Sequence, residues 1–262
     1  MPPNSVMKVV ELIDAAQILT YLEIDRLYAA YAVGDLEPEL SARCKWFGAE
    51  QNDRLQALAL RYSGLDFPIV FLMGDAGGLR AIFEDALCVE EAYFTCRREH
   101  LGVMQDFYNW EPIPMWRMVL RSDNFRPVAG GSVPLALDHV EQLKALYAYG
   151  EGNAFNPRQV SGGAFHGVFE EGRLVAAAGT HLISPTYGVA AVGNIFTHPE
   201  FRGRGCATTI TSAVVVELLS RGMCDIVLNV NQKNETAIRI YERLGFERCC
   251  PFFEGVADRL TN

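Results

Sequence analysis

A short run rich in arginine and glycine offers a place to bind phosphate. The run is Arg202-Gly203-Arg204-Gly205-Cys206-Ala207, and it joins a strand-like stretch, Val189 to Phe196, to a helical one, Ala207 to Leu219. The first amides of a helix have no partner within the helix and point outward at the positive end of its dipole. Glycine allows close approach to the main chain, and arginine adds fixed positive charge. We therefore predict a phosphate-binding turn at the start of this helix.

Two further kinds of phosphate-binding loop fit this run less well. A P-loop requires Lys and then Ser or Thr after its last glycine, and this chain has Cys206-Ala207 there. A dinucleotide-binding loop is closer, because Gly203-x-Gly205 is followed about 20 residues later by Asp225. However, Thr208 occupies the third glycine position, and Asp225 begins the next strand instead of ending it. The spacing therefore disfavours both loops.

A second motif follows closer to the end of the chain. It reads Asn234-x-x-Ala237-x-x-x-Tyr241-x-x-x-Gly245-Phe246. Together the two runs resemble the Arg-x-x-Gly-x-Ala loop and the Asn-x-x-Ala-x-x-x-Tyr-x-x-x-Gly-Phe pattern of the GNAT acetyltransferase superfamily. The resemblance covers roughly Val189 to Phe246 and is matched at every motif position. This half is also similar to the acyl-CoA-binding region of glycine N-acyltransferase-like proteins.

The resemblance implies an N-acetyltransferase that moves an acetyl group from acetyl-CoA directly to a primary amine while both substrates are bound. It implies that the strand Val189 to Thr197 splays from the strand Asp225 to Asn231, so that main-chain groups reach the pantetheine arm and the thioester oxygen. Tyr241 is the implied general acid for the thiolate. The residues expected to bind acetyl-CoA are Ile195, Phe196, Thr197, Arg202, Gly203, Arg204, Gly205, Cys206, Ala207, Thr208, Asn231, Asn234, Ala237 and Tyr241.

The general base is open, because the strand Val189 to Thr197 contains no Asp or Glu, although a carboxylate there is common in the family. We name His181 as the candidate base. The alternatives are Glu170 at a predicted hairpin and a water held by Asn194 or Asn229.

Each site assignment also has a simpler structural explanation. Tyr241 would form a packing stripe with Ala237 and Leu244, at i, i+4 and i+7 of a helix. Arg202 and Arg204 would be ordinary solvated charges. Asn234 would be only a helix cap, and Cys206 would pack without reacting.

Composition limits the class of protein. The chain has 262 residues, half of them hydrophobic, and can form one large domain or two smaller ones. A net charge of -9 disfavours nucleic acid as a partner. No apolar stretch approaches the roughly 18 residues needed to span a bilayer, so we expect no membrane partner. Seven cysteines without CxxC spacing favour reduced thiols in a cytoplasm, and scattered histidines favour no metal site.

The order of predicted elements favours an α/β fold with a mixed sheet, built from two tandem GNAT-like domains. We place the domains at residues 1–125 and 126–262, because turn formers crowd between Ser122 and Pro134. In the second domain we predict a helix at 135–149, strands at 164–169, 173–181 and 189–197, a helix at 205–221, a strand at 225–231, a helix at 234–244 and a strand at 246–253.

The first domain repeats this order more loosely. We predict strands at 44–50, 55–62 and 67–74, a helix at 76–87, a strand at 91–98, a helix at 101–108 and a strand at 115–121. Asp75 precedes its helix where the second domain has arginine, and its charge would repel phosphate. We therefore expect a degenerate copy that shapes the acceptor pocket. The alternatives are an unrelated α/β domain for this half and, for the whole chain, a non-catalytic acyl-CoA-binding regulatory module or a nucleotide-dependent oxidoreductase.

Overall fold

The computed structural model describes residues 7–65, 67–150 and 155–261. The chain forms two compact units. The N-terminal unit comprises Met1–Trp116 together with Cys250–Asn262, and the C-terminal unit comprises Arg117–Cys249. The division between the units falls at 116/117, earlier in the sequence than our predicted domain boundary at 125/126. The N-terminal unit also includes residues 250–262. The placement of functional domains at 1–125 and 126–262 stays a prediction.

Thirteen strands and eight α-helices form the described part of the chain. The strands are β1 (Lys8–Leu12), β2 (Cys44–Gln51), β3 (Arg54–Tyr62), β4 (Ile69–Gly74), β5 (Glu91–Cys96), β6 (Tyr108–Trp110), β7 (Ile113–Leu120), β8 (Val133–Pro134), β9 (His166–Glu170), β10 (Arg173–Ser184), β11 (Val189–Thr197), β12 (Asp225–Asn231) and β13 (Glu247–Arg259). The helices are α1 (Ala15–Leu22), α2 (Ala30–Gly34), α3 (Pro38–Ser41), α4 (Ala76–Asp85), α5 (Leu101–Phe107), α6 (Val140–Tyr147), α7 (Cys206–Ser220) and α8 (Glu235–Leu244).

In the C-terminal unit the strands lie in the order β12-β11-β10-β9-β8. β10 pairs antiparallel with β9 and β11, whereas β11 and β12 are parallel. The parallel register runs from Val189 opposite Asp225 to Val192 opposite Leu228. It ends there, although both strands continue. The carboxyl ends of β11 and β12 are therefore unpaired with each other, as expected of the splayed strands of the predicted fold.

The N-terminal unit has the strand order β1-β2-β3-β4-β5-β13, with β6 also paired to β13. β4 and β5 are its parallel pair, and their register ends at Phe71 opposite Thr95. The aliphatic and aromatic side chains of this sheet pack with α4 and α5 in a buried core. The unit therefore repeats the arrangement of the C-terminal one: a parallel pair that separates, with a helix following its first strand.

Most predicted elements are confirmed within a few residues, and three differences have physical causes. The predicted helix at 135–149 is shorter, because a 3-10 turn at Leu137–His139 precedes α6. The last strand, predicted to end at residue 253, continues to Arg259 because it pairs with β5. β1, β6, β8 and α1 to α3 went unpredicted, since they carry no motif. Among the described residues, no helix combines the length and apolar character needed to cross a membrane.

Candidate active site

The glycine-rich run forms an open turn at the start of α7. Gly203 and Gly205 have φ values of 77° and 82°, in the left-handed region that favours glycine. Gly205 is the N-cap and gives no side-chain cap, and the first helical bond is donated by the Thr209 amide to its carbonyl. The amides of Cys206, Ala207 and Thr208 come before Thr209, so they have no acceptor within the helix. The turn therefore offers main-chain N–H groups without a partner inside the helix, as a main-chain anion site requires.

The two arginines of the loop are exposed and fixed by local contacts. Arg202 donates from Nε to the Thr197 carbonyl at 3.3 Å, and its guanidinium lies over the Phe196 ring. Arg204 donates to the Glu200 carbonyl at 3.4 Å. These contacts hold positive charge beside the open turn. They also occupy the carbonyl of Thr197, one of the main-chain groups that we expected to meet the ligand.

The carboxyl end of β11 deviates from both of its neighbours. Phe196 and Thr197 keep register with β10, but Asn194 and Ile195 have no register partner on β10 or β12. Asn194 has a φ of 52°, in the left-handed region. This conformation defines a β-bulge, which turns main-chain groups away from the ladder. Ile195, Phe196 and Thr197 are half-buried there.

Tyr241 lies on the buried face of α8. Only 7% of the residue is exposed, and its ring meets Phe246 at a centroid distance of 6.1 Å. Burial raises the pKa of its hydroxyl well above the ordinary value of 10.0. Within residues 7–65, 67–150 and 155–261, no group forms a hydrogen bond with this hydroxyl. Tyr241 thus packs, as the simpler explanation requires, and also keeps a proton available to a ligand.

The side-chain oxygens of the two asparagines near α8 both accept hydrogen bonds from main-chain amides. Asn234 is the N-cap, and its Oδ1 accepts from the Ala237 amide at 3.1 Å. Asn231 Oδ1 accepts from the Lys233 amide at 2.8 Å. Asn234 is therefore a helix cap, and its amide nitrogen is the side-chain atom left to donate to a ligand. Gly245, with a φ of 101°, ends α8 in the left-handed conformation expected of a helix stop.

His181 lies in an irregular part of β10, against the main chain of Gly193. A Cβ built at Gly193 would meet the imidazole at 2.3 Å, so a larger residue there would require this ring to move. Burial lowers the pKa of His181 to about 4, a hydrogen bond with the Asn194 side chain opposes this, and the charge of Arg117 adds to the lowering. His181 is therefore neutral near pH 7 and able to accept a proton. The alternative base Glu170 is exposed, and Asn229 is half-buried.

A groove in this unit lies apart from these residues. It measures about 490 Å³ and runs along α7, where its polar lining includes His166, Thr209, Ser212 and Glu217. None of the predicted site residues lines it. In the described part of the chain, no three His, Cys, Asp or Glu side chains are grouped to hold a metal ion.

Sequence reasoning named Asn194 only as a possible water ligand and missed its backbone role. It also missed Tyr147, whose hydroxyl donates to the Asn194 carbonyl at 2.6 Å. The adjacent Gly193 and Asn194 inside an apolar strand were an available signal, since both residue types mark bulges and left-handed positions. Tyr147 gave no signal, because an aromatic residue on a helix usually packs.

Comparison with known proteins finds a family match and similar folds. Residues 136–246 match the model of the acetyltransferase (GNAT) family. A protein described as a GNAT-family acetyltransferase from Novosphingobium aromaticivorans is similar with a TM-score of 0.61 and 24% identity, over 78% of this chain and 89% of that one. A GCN5-related N-acetyltransferase from Sphaerobacter thermophilus gives a TM-score of 0.66 at 16% identity, over 97% and 95%.

A tandem GNAT protein from the clavulanic acid biosynthesis pathway is similar along nearly the whole chain. It has a TM-score of 0.57 and 12% identity, over 97% of this chain and 98% of that one. At such identities these structures show the fold, and they confirm the predicted mixed α/β tandem arrangement. Fold and loop together define a GNAT-fold protein with an open helix N-terminus beside two separating strands. Residues 136–246 match the acetyltransferase (GNAT) family model, and the chain as a whole shares the fold of GNAT structures.

Proposed function

We propose that this protein is an N-acetyltransferase of the cytoplasm that transfers acetyl directly from acetyl-CoA to a primary amine, on a small molecule or a peptide terminus. The observation that carries the proposal is the uncapped N-terminus of α7, beside a strand whose pairing with β12 has ended. The turn would hold the pyrophosphate, and the pantetheine arm would lie between the unpaired ends of β11 and β12. The acyl-CoA-binding residues would be those named from the sequence, with Asn234 donating only through its amide nitrogen.

Direct transfer requires three events at the thioester. The amine must lose a proton, its nitrogen must form a bond to the carbonyl carbon, and the carbon–sulfur bond must break as the sulfur takes a proton. Main-chain amides near the bulge would stabilise the negative charge that develops on the carbonyl oxygen. Tyr241 would protonate the sulfur, since its raised pKa keeps the hydroxyl protonated at neutral pH.

His181 is our proposed proton acceptor for the amine. Its lowered pKa keeps it neutral above about pH 4, and the neutral imidazole is the form that can take up a proton. The same low pKa makes it a weak base, so a bound water could share the transfer. A neutral site also suits an amine that enters after losing its proton to solvent.

A binding module without transfer is the second candidate. The absence of Asp and Glu from β11, together with the low pKa of His181, favours it. Both candidates require acetyl-CoA to bind, and they differ only in turnover.

The test separates binding from turnover. Titration calorimetry of the full-length protein with acetyl-CoA measures binding, and release of free thiol in the presence of a panel of amines measures transfer, with the acetylated product identified by mass. Binding and amine-dependent release would support the enzyme. Binding without release for any amine would favour the module, and no binding would refute both.

A further inference from the structure

Tyr147 makes a short hydrogen bond to the bulge of β11. It stands at the last residue of α6, is 4% exposed, and donates to the Asn194 carbonyl at 2.6 Å. Its ring is fixed in an aromatic cluster, at 4.9 Å from Phe155 and 6.3 Å from Phe196. Burial raises the pKa of the hydroxyl, so it remains a donor throughout the neutral range. The packed ring and the protonated hydroxyl therefore both favour this hydrogen bond.

The bulge has few further constraints on its main chain. Asn194 and Ile195 lie outside both sheet registers, and Asn194 holds a left-handed φ of 52°. The Asn194 side chain donates to Gln159 Oε1 at 3.0 Å, and that oxygen also accepts the Asn156 amide at 3.0 Å. These contacts position the side chain. The carbonyl of Asn194, in contrast, is held by Tyr147.

The direction of that carbonyl fixes the next amide. The Asn194 carbonyl and the Ile195 N–H belong to one planar trans peptide, so they point in opposite directions. Holding the oxygen at Tyr147 therefore holds the Ile195 N–H on the opposite side of the plane. Without this bond the peptide would be less constrained in orientation, because neither residue has a register partner on β10 or β12.

We propose that Tyr147 is a positioning residue for acetyl transfer, which orients the Asn194–Ile195 peptide so that the Ile195 amide can polarise the thioester carbonyl. The proposal rests on the proposed function. Tyr147 itself would not contact the reacting atoms. Its effect would be on the chemical step, whereas the phosphate-binding turn at Gly203 and Gly205 would be unaffected.

The variant Tyr147→Phe tests this, since it keeps the ring and removes the donor. Tyr28→Phe is a matched control, because Tyr28 is equally buried at 1% exposure and donates to the Leu72 carbonyl at 2.8 Å in the N-terminal unit. Both variants should lose similar thermal stability and bind CoA within about twofold of the parent. We expect kcat to fall by about tenfold or more in Tyr147→Phe alone, in line with the loss of an oriented amide donor.

A second readout needs no acceptor amine. The infrared carbonyl band of acetyl-CoA labelled with carbon-13 moves to lower frequency when its oxygen accepts hydrogen bonds. We expect bound acetyl-CoA to show this shift in the parent and in Tyr28→Phe, and to lose most of it in Tyr147→Phe. An unchanged shift in Tyr147→Phe, with an unchanged kcat, would overturn the positioning role and leave the proposed function standing. A parent that does not bind acetyl-CoA would overturn both.

Discussion

Two helix N-termini in this chain occupy equivalent places in the two units but differ in their caps. In the N-terminal unit, α4 follows β4 and is capped by Asp75, whose Oδ1 accepts from the Gly78 amide at 3.0 Å. In the C-terminal unit, α7 has Gly205 at the cap and no side-chain oxygen on its amides. A carboxylate of the chain thus occupies one helix end, while the second stays open to an external anion.

The end of the parallel strand pair is likewise covered by side chains of the chain itself in the N-terminal unit. In this unit His100 is only 1% exposed. Its Nε2 donates to the Gly74 carbonyl at 2.9 Å, and its Nδ1 accepts from the Arg97 amide. A Cβ at Gly74 would come within 2.2 Å of the Tyr21 hydroxyl, so the end of β4 is also tightly covered. We propose that this unit is a degenerate copy, since its own side chains take the places that a cofactor would need.

The largest effect should come from the residue nearest the proposed chemistry. Tyr241→Phe keeps the packing on Phe246 but removes the proton, and general acids contribute about 10²- to 10⁴-fold. We therefore expect kcat to fall at least about tenfold, with little change in CoA affinity or thermal stability, as measured by thiol release and calorimetry. If Tyr241 only packs, kcat will stay at the parental value when chemistry limits the rate.

Because only the N-terminus of α7 is open to a ligand, we expect substitution of the glycine at that helix end to weaken CoA binding. A side chain at Gly205 would stand where nothing lies within 4 Å, in the space that we assign to phosphate. Gly205→Val should weaken CoA binding by at least about tenfold, about 1.4 kcal/mol. Gly222→Val is the control, because Gly222 has the same φ of 82° and equally open surroundings. Equal CoA affinity in both variants would exclude this loop as the phosphate site.

The burial of His181 predicts a pH dependence of stability. Its pKa is lowered from 6.5 to about 4, so between these values the unfolded chain binds a proton that the folded chain does not. Stability from this group is complete above about pH 6.5 and is lost as the pH falls towards 4. Urea unfolding of His181→Gln should therefore show a weaker fall in stability across this window than the parent or His139→Gln. Parallel curves for parent and variant would contradict the assigned burial.

The smallest effect on function is expected at the closed helix end. Asp75→Arg should leave acetyl transfer and CoA affinity unchanged, and should cost about 1 kcal/mol of stability because the cap of α4 is lost. Asp75→Asn retains a capping oxygen and should restore most of that stability. A large loss of CoA affinity in Asp75→Arg would instead make the N-terminal unit the one that binds the cofactor.

Local motifs explain how much of this comparison could be predicted from the sequence. The glycine loop and the Asn234 cap are encoded by neighbouring residues, so their helix boundaries were correctly predicted. Asp75 was identified as an unfavourable charge, but its role as a cap needed the distance to Gly78. The contacts of His100 and Tyr147 join residues distant in sequence, and a single sequence contains no signal for such pairs.

The position of the last strand determines the order in which the two units can finish folding during synthesis. β13 pairs with β5 through residues such as Phe253 opposite Cys96, and the Arg259 guanidinium donates to the Leu87 carbonyl. The N-terminal unit therefore lacks a strand until synthesis has passed Arg259, while the whole C-terminal unit has already been made. Loop closure across so long a segment is slow, and β5 exposes an unpaired edge in the meantime. During translation, the unit made first is thus the one completed last.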